Sequence, residues 1–158
     1  MRLLIITTGF LLSIACLSIY AQGATDSLYE KPFHYSDSTV TVGEFHFLDI
    51  SWELDSPFSH SATFSMDSLT AFLTLHDSLS IEIDSYTDCM GSAEYNQSLS
   101  DARSQRIKDY LIWRGIKPKR VTVKGFGESM PLIPCECDNC TPGERQKNRR
   151  TLIVITGT

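Results

Sequence analysis

The chain lacks the residue patterns on which most catalytic and metal centres are built. Its four histidines, at positions 34, 46, 60 and 76, are scattered without the spacing of metal ligands. No Ser/His/Asp or Cys/His arrangement suggests a nucleophile, and no glycine-rich loop is available to cradle a phosphate. Internal repeats and low-complexity segments are also absent. The sequence therefore predicts a chain without catalytic residues, without a cofactor and without a metal ion.

Positive charge is scarce as well. The 158 residues include 14 Lys and Arg against 19 Asp and Glu, which gives a formal net charge of −5. Such a balance does not suit nonspecific binding of nucleic acid, which depends on basic residues that neutralise phosphates. Two segments, "RGIKPKRVTVK" and "RQKNRR", are nevertheless locally basic, so an anionic partner on that side stays open.

A long hydrophobic run occurs only at the beginning of the chain. After Arg2, "LLIITTGFLLSIACLSI" carries no charge, and Ala21 then offers a small residue before a cleavage point. The run is short for a membrane span, and no basic stop-transfer cluster follows it. We therefore expect a signal peptide at residues 1–21, cut before Gln22, and an exported mature chain. Lipidation of Cys16 is not expected, because "SIAC" lacks the usual leucine three residues before the cysteine.

Cysteine is sparse, and four of the five cysteines remain after the predicted cleavage. An even number of cysteines in an exported chain favours disulfides, and four allow three connectivities. A zinc site in "CECDNC" is the alternative, because thiolates bind zinc. An oxidising compartment and a spacing unlike the paired CxxC of a zinc ribbon both disfavour it. The disulfide candidates are Cys89, Cys135, Cys137 and Cys140.

The rest of the chain reads as a polar leader at residues 22–42 followed by one α/β domain at residues 43–158. Alternating apolar residues predict strands, and a helical period predicts one helix before "LSIEIDSY" and one after it. The second helix is expected to end at Arg114, with Gly115 as its C-cap. A long connection rich in proline then leads to "RRTLIVIT", whose continuous apolar run predicts a strand buried on both faces. Strand–helix–strand crossovers imply parallel pairs, with the helices on one side of the sheet.

Arg103 is unusual because it lies on the apolar face of the second helix. With Leu99 at zero and about 100° per residue, Arg103 falls at about 40°, between Tyr110 and Ile107. The same construction places Tyr95, Ala102 and Trp113 on this face. Burial of an unpaired guanidinium costs several kcal/mol, so Arg103 needs an anion or a wet cleft.

Asp88 lies where the second strand passes into the second helix, at the strand end where α/β sheets usually bind ligands. Helical side chains lean toward the N-terminus, so Arg103 leans toward Asp88. The two residues form either an internal salt bridge or a clamp for a zwitterion. In the clamp, Asp88 holds an ammonium and Arg103 holds a carboxylate as a bidentate pair.

The segments "YTDCMGSAEYNQSLSDARSQRIKDYLIWRGI", "GFGESMP" and "NRRTLIVI" resemble the OmpA-like C-terminal domain, the peptidoglycan-binding module of bacterial envelope proteins. The family pattern is TD, G, YN, LSxxRA, YLxxxGI, GYGE and NRR, and the match covers roughly residues 43–156 in order. The resemblance implies a βαβαββ sandwich with a mixed four-stranded sheet and helices packed on one side. It also implies an exported protein of the periplasm or the periplasmic face of the outer membrane.

By the same resemblance, the ligand is the diaminopimelate of the peptidoglycan stem, whose free end is a zwitterion. Asp88 and Arg103 are the implied main contacts, and Asn148 is expected to shape a turn instead of touching the ligand. The full set of implied binding residues is Thr87, Asp88, Asn96, Leu99, Arg103 and Arg149.

Three departures from the family pattern stand out. Ser85 and Tyr86 replace the usual glycine and histidine before TD, and Ser104 replaces an alanine. The aspartate that the family often has in its first strand aligns with Ile50, and Asp49 is one position away. These departures support an alternative function, in which the fold is kept and the pocket serves a protein partner of the outer membrane.

The cysteine-bearing loop resembles a variant seen in envelope proteins of the Bacteroidetes type. Cys135 and Cys140 enclose a short turn and are expected to be bonded, because adjacent pairings such as Cys135 with Cys137 would be strained. The leftover pair, Cys89 and Cys137, would then bridge this loop to the turn that holds Asp88.

Overall fold

The protein is described by a computed structural model that covers residues 41–48, 50 and 60–157. The predicted signal peptide, nearly all of the predicted leader, and Asp49 lie outside the described residues. Within these ranges, no helix combines the length and the apolar character that a membrane span requires.

The described residues form one mixed sheet of four strands. These are β1 (Phe45–Leu48), β2 (Ser80–Ser85), β3 (Val121–Gly125) and β4 (Thr151–Gly157), in the order β1-β4-β2-β3. Strands β2 and β3 are parallel, and β4 is antiparallel to both β1 and β2. The predicted α/β class is confirmed. Because β4 lies between β1 and β2, only the second of the two crossovers joins neighbouring strands.

Three α-helices are present in the described part of the chain: α1 (His60–Leu75), α2 (Ala93–Trp113) and α3 (Pro142–Asn148). Ser92 caps α2 by accepting the Tyr95 N–H at 3.2 Å, and Glu94 lies in the first turn, where it complements the helix dipole. At the other end, Gly115 takes a φ of +97° and donates its N–H to the carbonyl of Ile112 at 2.9 Å. The sequence therefore predicted the end of α2 to within a residue.

The core lies between one face of the sheet and helices α1 and α2. Alternate residues of β2 and β4 point into it, as the strand period requires. Burial of these apolar side chains is the main favourable contribution to folding, at roughly 25 cal/mol per Å². The fully buried members include Ile81, Ile83, Ile153, Ile155, Leu69, Leu73, Ile107 and Leu111. Helices on one side of the sheet are thus confirmed.

Strand β4 is not buried on both faces. Thr151, Ile153 and Ile155 are buried, whereas Leu152 and Val154 on the opposite face are only half-buried. The continuous apolar run was misleading because β4 is a central antiparallel strand, and such a sheet needs helices on only one face.

The predicted face of α2 also requires correction. Arg103 is buried as expected, with 1% of its surface exposed, but Tyr95 and Trp113 are 47% and 76% exposed. Ala102 is exposed as well. The buried residues of α2 are mostly polar: Asn96, Ser100, Arg103, Ser104, Ile107 and Leu111. An apolar period could not locate this stripe, because four of its six members are polar.

The long connection before β4 contains α3, which the sequence reading missed. Thr141 and Glu144 form a capping box, and Pro142 occupies the first turn. The helix ends at Asn148, whose side chain accepts the N–H of Ile133 and donates to its carbonyl, at 2.8 and 3.0 Å. Asn148 therefore holds the loop, as predicted, and Arg149 follows directly after it.

Candidate functional site

The turn between β2 and α2 carries Thr87 and Asp88 at the carboxyl end of β2. Backbone bonds hold it on two sides, because Tyr86 donates to the carbonyl of Arg150 and Thr87 to that of Gly127, each at 2.9 Å. The Asp88 carboxylate then accepts the N–H of Met90 at 3.0 Å, which folds the turn back on itself. The turn that carries Asp88 is thus held by the segment after β3 and the segment before β4.

The ion pair of Asp88 is with Arg149. The Asp88 and Arg149 side chains are only 6% and 14% exposed, and Arg149 also donates to the side chain of Gln146. Within the described part of the chain, the alternative of an Asp88–Arg103 salt bridge is therefore wrong. Arg149 reaches Asp88 from the end of α3, the helix that the sequence reading missed.

All six predicted binding residues line one pocket with a volume of about 320 Å³. They come from three elements: the turn after β2, the first half of α2 and the end of α3. Three further residues line the same pocket and were not predicted. The full lining is Thr87, Asp88, Met90, Gly91, Tyr95, Asn96, Leu99, Arg103 and Arg149.

The three missed residues had weak signals in the sequence. Gly91 takes a φ of +104°, and in the sequence it stands out only as the glycine of the family pattern. Met90 precedes it in the same turn. Tyr95 is the tyrosine of the YN motif, and an assignment to the core face of α2 concealed its contact with the pocket.

Two residues that line the pocket each have a buried polar atom that is unsatisfied within the described residues. Thr87 is 3% exposed, and its Oγ1 makes no hydrogen bond to any described group. The Nε of Arg149 is also buried and makes no hydrogen bond to any described group. Buried polar atoms are nearly always hydrogen-bonded, so these two atoms are exceptions among the residues that line the pocket.

The end of β3 packs unusually close to α2. A Cβ atom at Gly125 would lie 2.3 Å from Oδ1 of Asp101, and the N–H of Gly127 donates to Ser100 Oγ at 2.9 Å. This close approach brings Glu128 beside Asn96, which donates a side-chain N–H to the Glu128 carboxylate. The "GFGE" segment thus packs against α2 and contacts Asn96, which lines the pocket.

The structure contains two disulfides among the described residues, and one of them connects the pocket turn to the loop before α3. Cys89, directly after Asp88, is bonded to Cys137, and Cys135 is bonded to Cys140, with Cα atoms 5.6 and 5.4 Å apart. This pairing is the one that the resemblance and loop lengths favoured. Among the described residues, no group of three or more His, Cys, Asp and Glu side chains is arranged to hold a metal ion.

Tyr86, which replaces the family's usual histidine, stacks on Phe126 with ring centroids 4.9 Å apart. The guanidinium of Arg150 covers its other face, 3.7 Å from the ring centre. Burial raises the pKa of the Tyr86 hydroxyl, and the Asp84 charge adds to this effect. Tyr86 is not among the described residues that line the pocket, and Ile50, 5% exposed, belongs to the core.

Comparison with known proteins now decides the family. The model of the OmpA family matches residues 55–149, which is more than half of the chain. The chain belongs to the OmpA family. It is 33% identical over 104 residues to outer membrane porin F of Pseudomonas fluorescens, and the match spans 65% of this chain and 31% of the porin. The chain therefore corresponds to less than a third of that relative.

Solved structures of similar fold agree with this assignment. A MotB-like protein from Desulfovibrio vulgaris has a TM-score of 0.60 and 25% identity, covering 72% of each chain. The peptidoglycan-associated lipoprotein from Burkholderia pseudomallei has a TM-score of 0.61 and 20% identity, covering 68% of this chain and 88% of its own. The sandwich described above is thus the fold of this OmpA-family chain.

Proposed function

We propose that this OmpA-family chain binds peptidoglycan non-covalently, through the diaminopimelate of the peptide stem, and so tethers itself or a partner to the cell wall. The observation that carries the proposal is the pair of buried, oppositely charged side chains on the walls of one pocket. Asp88 and Arg103 are 5% and 1% exposed. A zwitterion carries a charge opposite to each of them, so both ends of such a ligand would be attracted to the same pocket.

Each pocket residue then has a role that follows from its chemistry. The ligand's ammonium lies against Asp88, and its carboxylate takes a bidentate pair from the planar guanidinium of Arg103. Thr87 and Arg149 line the same pocket and supply further polar contacts. Leu99 packs against the aliphatic part of the ligand.

Relatives of the chain support the wall as the target. The peptidoglycan-associated lipoprotein carries that association in its name, and the porin is by its name a protein of the outer membrane. We infer that the chain acts as a binding protein without enzymatic activity, in the periplasm or at the periplasmic face of the outer membrane.

The alternative, a protein-interaction subunit with a degenerate pocket, rested on the departures at Tyr86 and Ile50. Tyr86 is held in its stack and Ile50 in the core, so neither side chain fills the pocket described above. The observations therefore favour the wall ligand over an outer-membrane protein partner.

Titration with two stem tripeptides tests the proposal. One ends in meso-diaminopimelate, and the other ends in L-lysine, which keeps the side-chain ammonium but lacks the neighbouring carboxylate. We expect the first to shift the NMR signals of Asp88 and Arg103 and to bind at least tenfold more tightly. Equal affinity for both peptides, or retention on sacculi that neither peptide reduces by competition, would show that the pocket does not recognise the free end of diaminopimelate.

A further inference from the structure

Asn96 presents a chemical choice to the pocket. Its side chain is 1% exposed and lines the pocket, and its amide has an NH2 end that only donates and an oxygen that only accepts. A ligand that carries an ammonium requires the oxygen, whereas a ligand that carries a carboxylate requires the NH2 group. Whatever fixes the rotation of this amide therefore contributes to specificity.

Glu128 fixes that rotation. An ionised carboxylate has no donor, so the Asn96 atom that faces it must be Nδ2. Glu128 cannot easily move away from Asn96, because Gly127 beside it takes a φ of +52° and packs on the backbone of Gln97 and Asn96. The contact is thus built into the close packing of "GFGE" against α2.

With Nδ2 held by Glu128, the amide oxygen points toward the ligand side. A Cβ atom at Gly91 would lie 3.7 Å from the Asn96 Oδ1, and Gly91 itself lines the pocket. The Asp88 carboxylate lies on the same turn, three residues before Gly91. An ammonium has three donors, and these two side chains would offer it acceptors from two directions.

We propose that Glu128 is a positioning residue, which holds the Asn96 amide so that its oxygen and not its NH2 group meets the ligand's ammonium. The inference rests on the proposed function and deepens it, because it assigns ammonium selectivity to a residue outside the pocket lining. Glu128 itself need not touch the ligand.

Two variants separate positioning from a general structural role. E128Q keeps the shape but supplies an NH2 group, which lets the Asn96 amide rotate and accept from it. The double variant N96D/E128Q has the same net charge as the wild type. In it, the new carboxylate at position 96 accepts from the new amide at position 128 and shows an oxygen to the pocket in either rotation. Glu136→Gln, at an exposed position, is the matched control for loss of charge.

Two stem tripeptides serve as probes, one ending in meso-diaminopimelate and one in 2-aminopimelate, which keeps the far carboxylate but lacks its ammonium. We expect E128Q to lose about tenfold in affinity for the meso-diaminopimelate peptide and little for the 2-aminopimelate peptide. Its selectivity for the first peptide over the second therefore falls. N96D/E128Q should restore selectivity, and E136Q should match the wild type. Thermal unfolding establishes that each variant is folded.

Three results would overturn the inference. E128Q could keep the wild-type selectivity, or its affinity could fall equally for both peptides. The double variant N96D/E128Q could also fail to recover the wild-type selectivity. Failure of the proposed function looks different, since the wild-type chain would then bind neither peptide before any variant was compared, and the inference would fall with it.

Discussion

At the scale of single residues, Arg103 provides the cleaner test of the clamp. It lies outside the Asp88–Arg149 ion pair, and it lines the pocket from α2. Arg103→Lys keeps the charge and loses the planar fork, so bidentate capture of a carboxylate fails. We expect at least a thirtyfold loss of peptide affinity, equivalent to about 2–5 kcal/mol. Arg106→Lys, at an exposed position of the same helix, should change nothing, and full affinity in a folded Arg103→Lys protein would contradict the clamp.

Asp88 should affect both binding and folding, because it holds Arg149 as well as the proposed ammonium. Asp88→Asn leaves a mostly buried guanidinium without its anion, which typically costs about 3–5 kcal/mol of stability. We expect a lower melting temperature together with reduced retention on sacculi. The control is Asp109→Asn on the exposed side of α2, which should leave both quantities within error. A lower melting temperature with unchanged retention would make Asp88 a structural residue only.

Asp84, outside the pocket, should make stability depend on pH. Burial, followed by the charge of Glu82, raises the pKa of its carboxyl from 3.8 to about 6, although Lys124 acts in the opposite direction. Between these values the folded chain binds more protons than the unfolded chain, so stability falls as the pH rises from about 4 to about 6. The loss amounts to at most about 3 kcal/mol.

Asp84→Asn removes that titration. Urea unfolding at pH 4.5 and pH 7.5 should show a smaller drop between the two conditions than in the wild type, with the variant more stable at the higher pH. An identical drop in both proteins would mean that another group is responsible. Asp109→Asn, which changes an exposed carboxylate, should reproduce the wild-type drop.

At the scale of elements, the two glycines at the end of β3 are the structural basis of the pocket wall. A Cβ atom at Gly125 would lie 2.5 Å from the backbone N of Asp101, too close for any side-chain adjustment to relieve. We expect Gly125→Ala to cost about 1–3 kcal/mol of stability. Peptide affinity should fall too, because Glu128 would move away from Asn96.

Gly143 offers the matched control for this substitution. It lies in the first turn of α3, and nothing stands within 4 Å of where its Cβ atom would be. Gly143→Ala should therefore be neutral or slightly stabilising, since alanine favours the helix. If chemical denaturation gave the two variants equal stability, the close approach of β3 to α2 would not limit the side chain at position 125, and the expectation would be wrong.

Elements were predictable from the sequence where local signals agreed. Helix α2 carried a cap, an acidic first turn and a terminal glycine, and all three are local features. Helix α3 spans only seven residues, too few to show a hydrophobic period, although "TPGE" held a capping-box signal that the reading overlooked. Six of the nine residues that line the pocket were predicted, because their motif resembles a family. The contacts between these residues were not predicted, because the Asp88–Arg149 pair joins positions 61 residues apart.

At the scale of the whole molecule, long-range connections bring the pocket together. Strand β4, the last of the four described strands, lies between β1 and β2, so this sheet is complete only when residues 151–157 have docked. The Cys89–Cys137 bond connects the pocket turn to the loop before α3, across a sequence separation of 48. Arg145 of α3 donates to the carbonyl of Cys137 at 3.3 Å, which extends this connection to the helix that presents Arg149.

The two disulfides should therefore differ in what their removal does. In the chain-entropy treatment, the Cys89–Cys137 bond, with a sequence separation of 48, contributes about 4 kcal/mol to stability. The Cys135–Cys140 bond, with a sequence separation of 5, contributes about 2 kcal/mol. We expect C89S/C137S to lose more stability toward urea than C135S/C140S. Only the first variant should also lose affinity for the diaminopimelate peptide, because Cys89 adjoins Asp88 and its bond restrains the turn that carries the carboxylate. Affinity measured by calorimetry, under conditions where both variants remain folded, separates the two effects. Equal losses of stability, or an unchanged affinity for C89S/C137S, would mean that the hydrogen bonds from Tyr86, Thr87 and Met90 hold the turn without the disulfide.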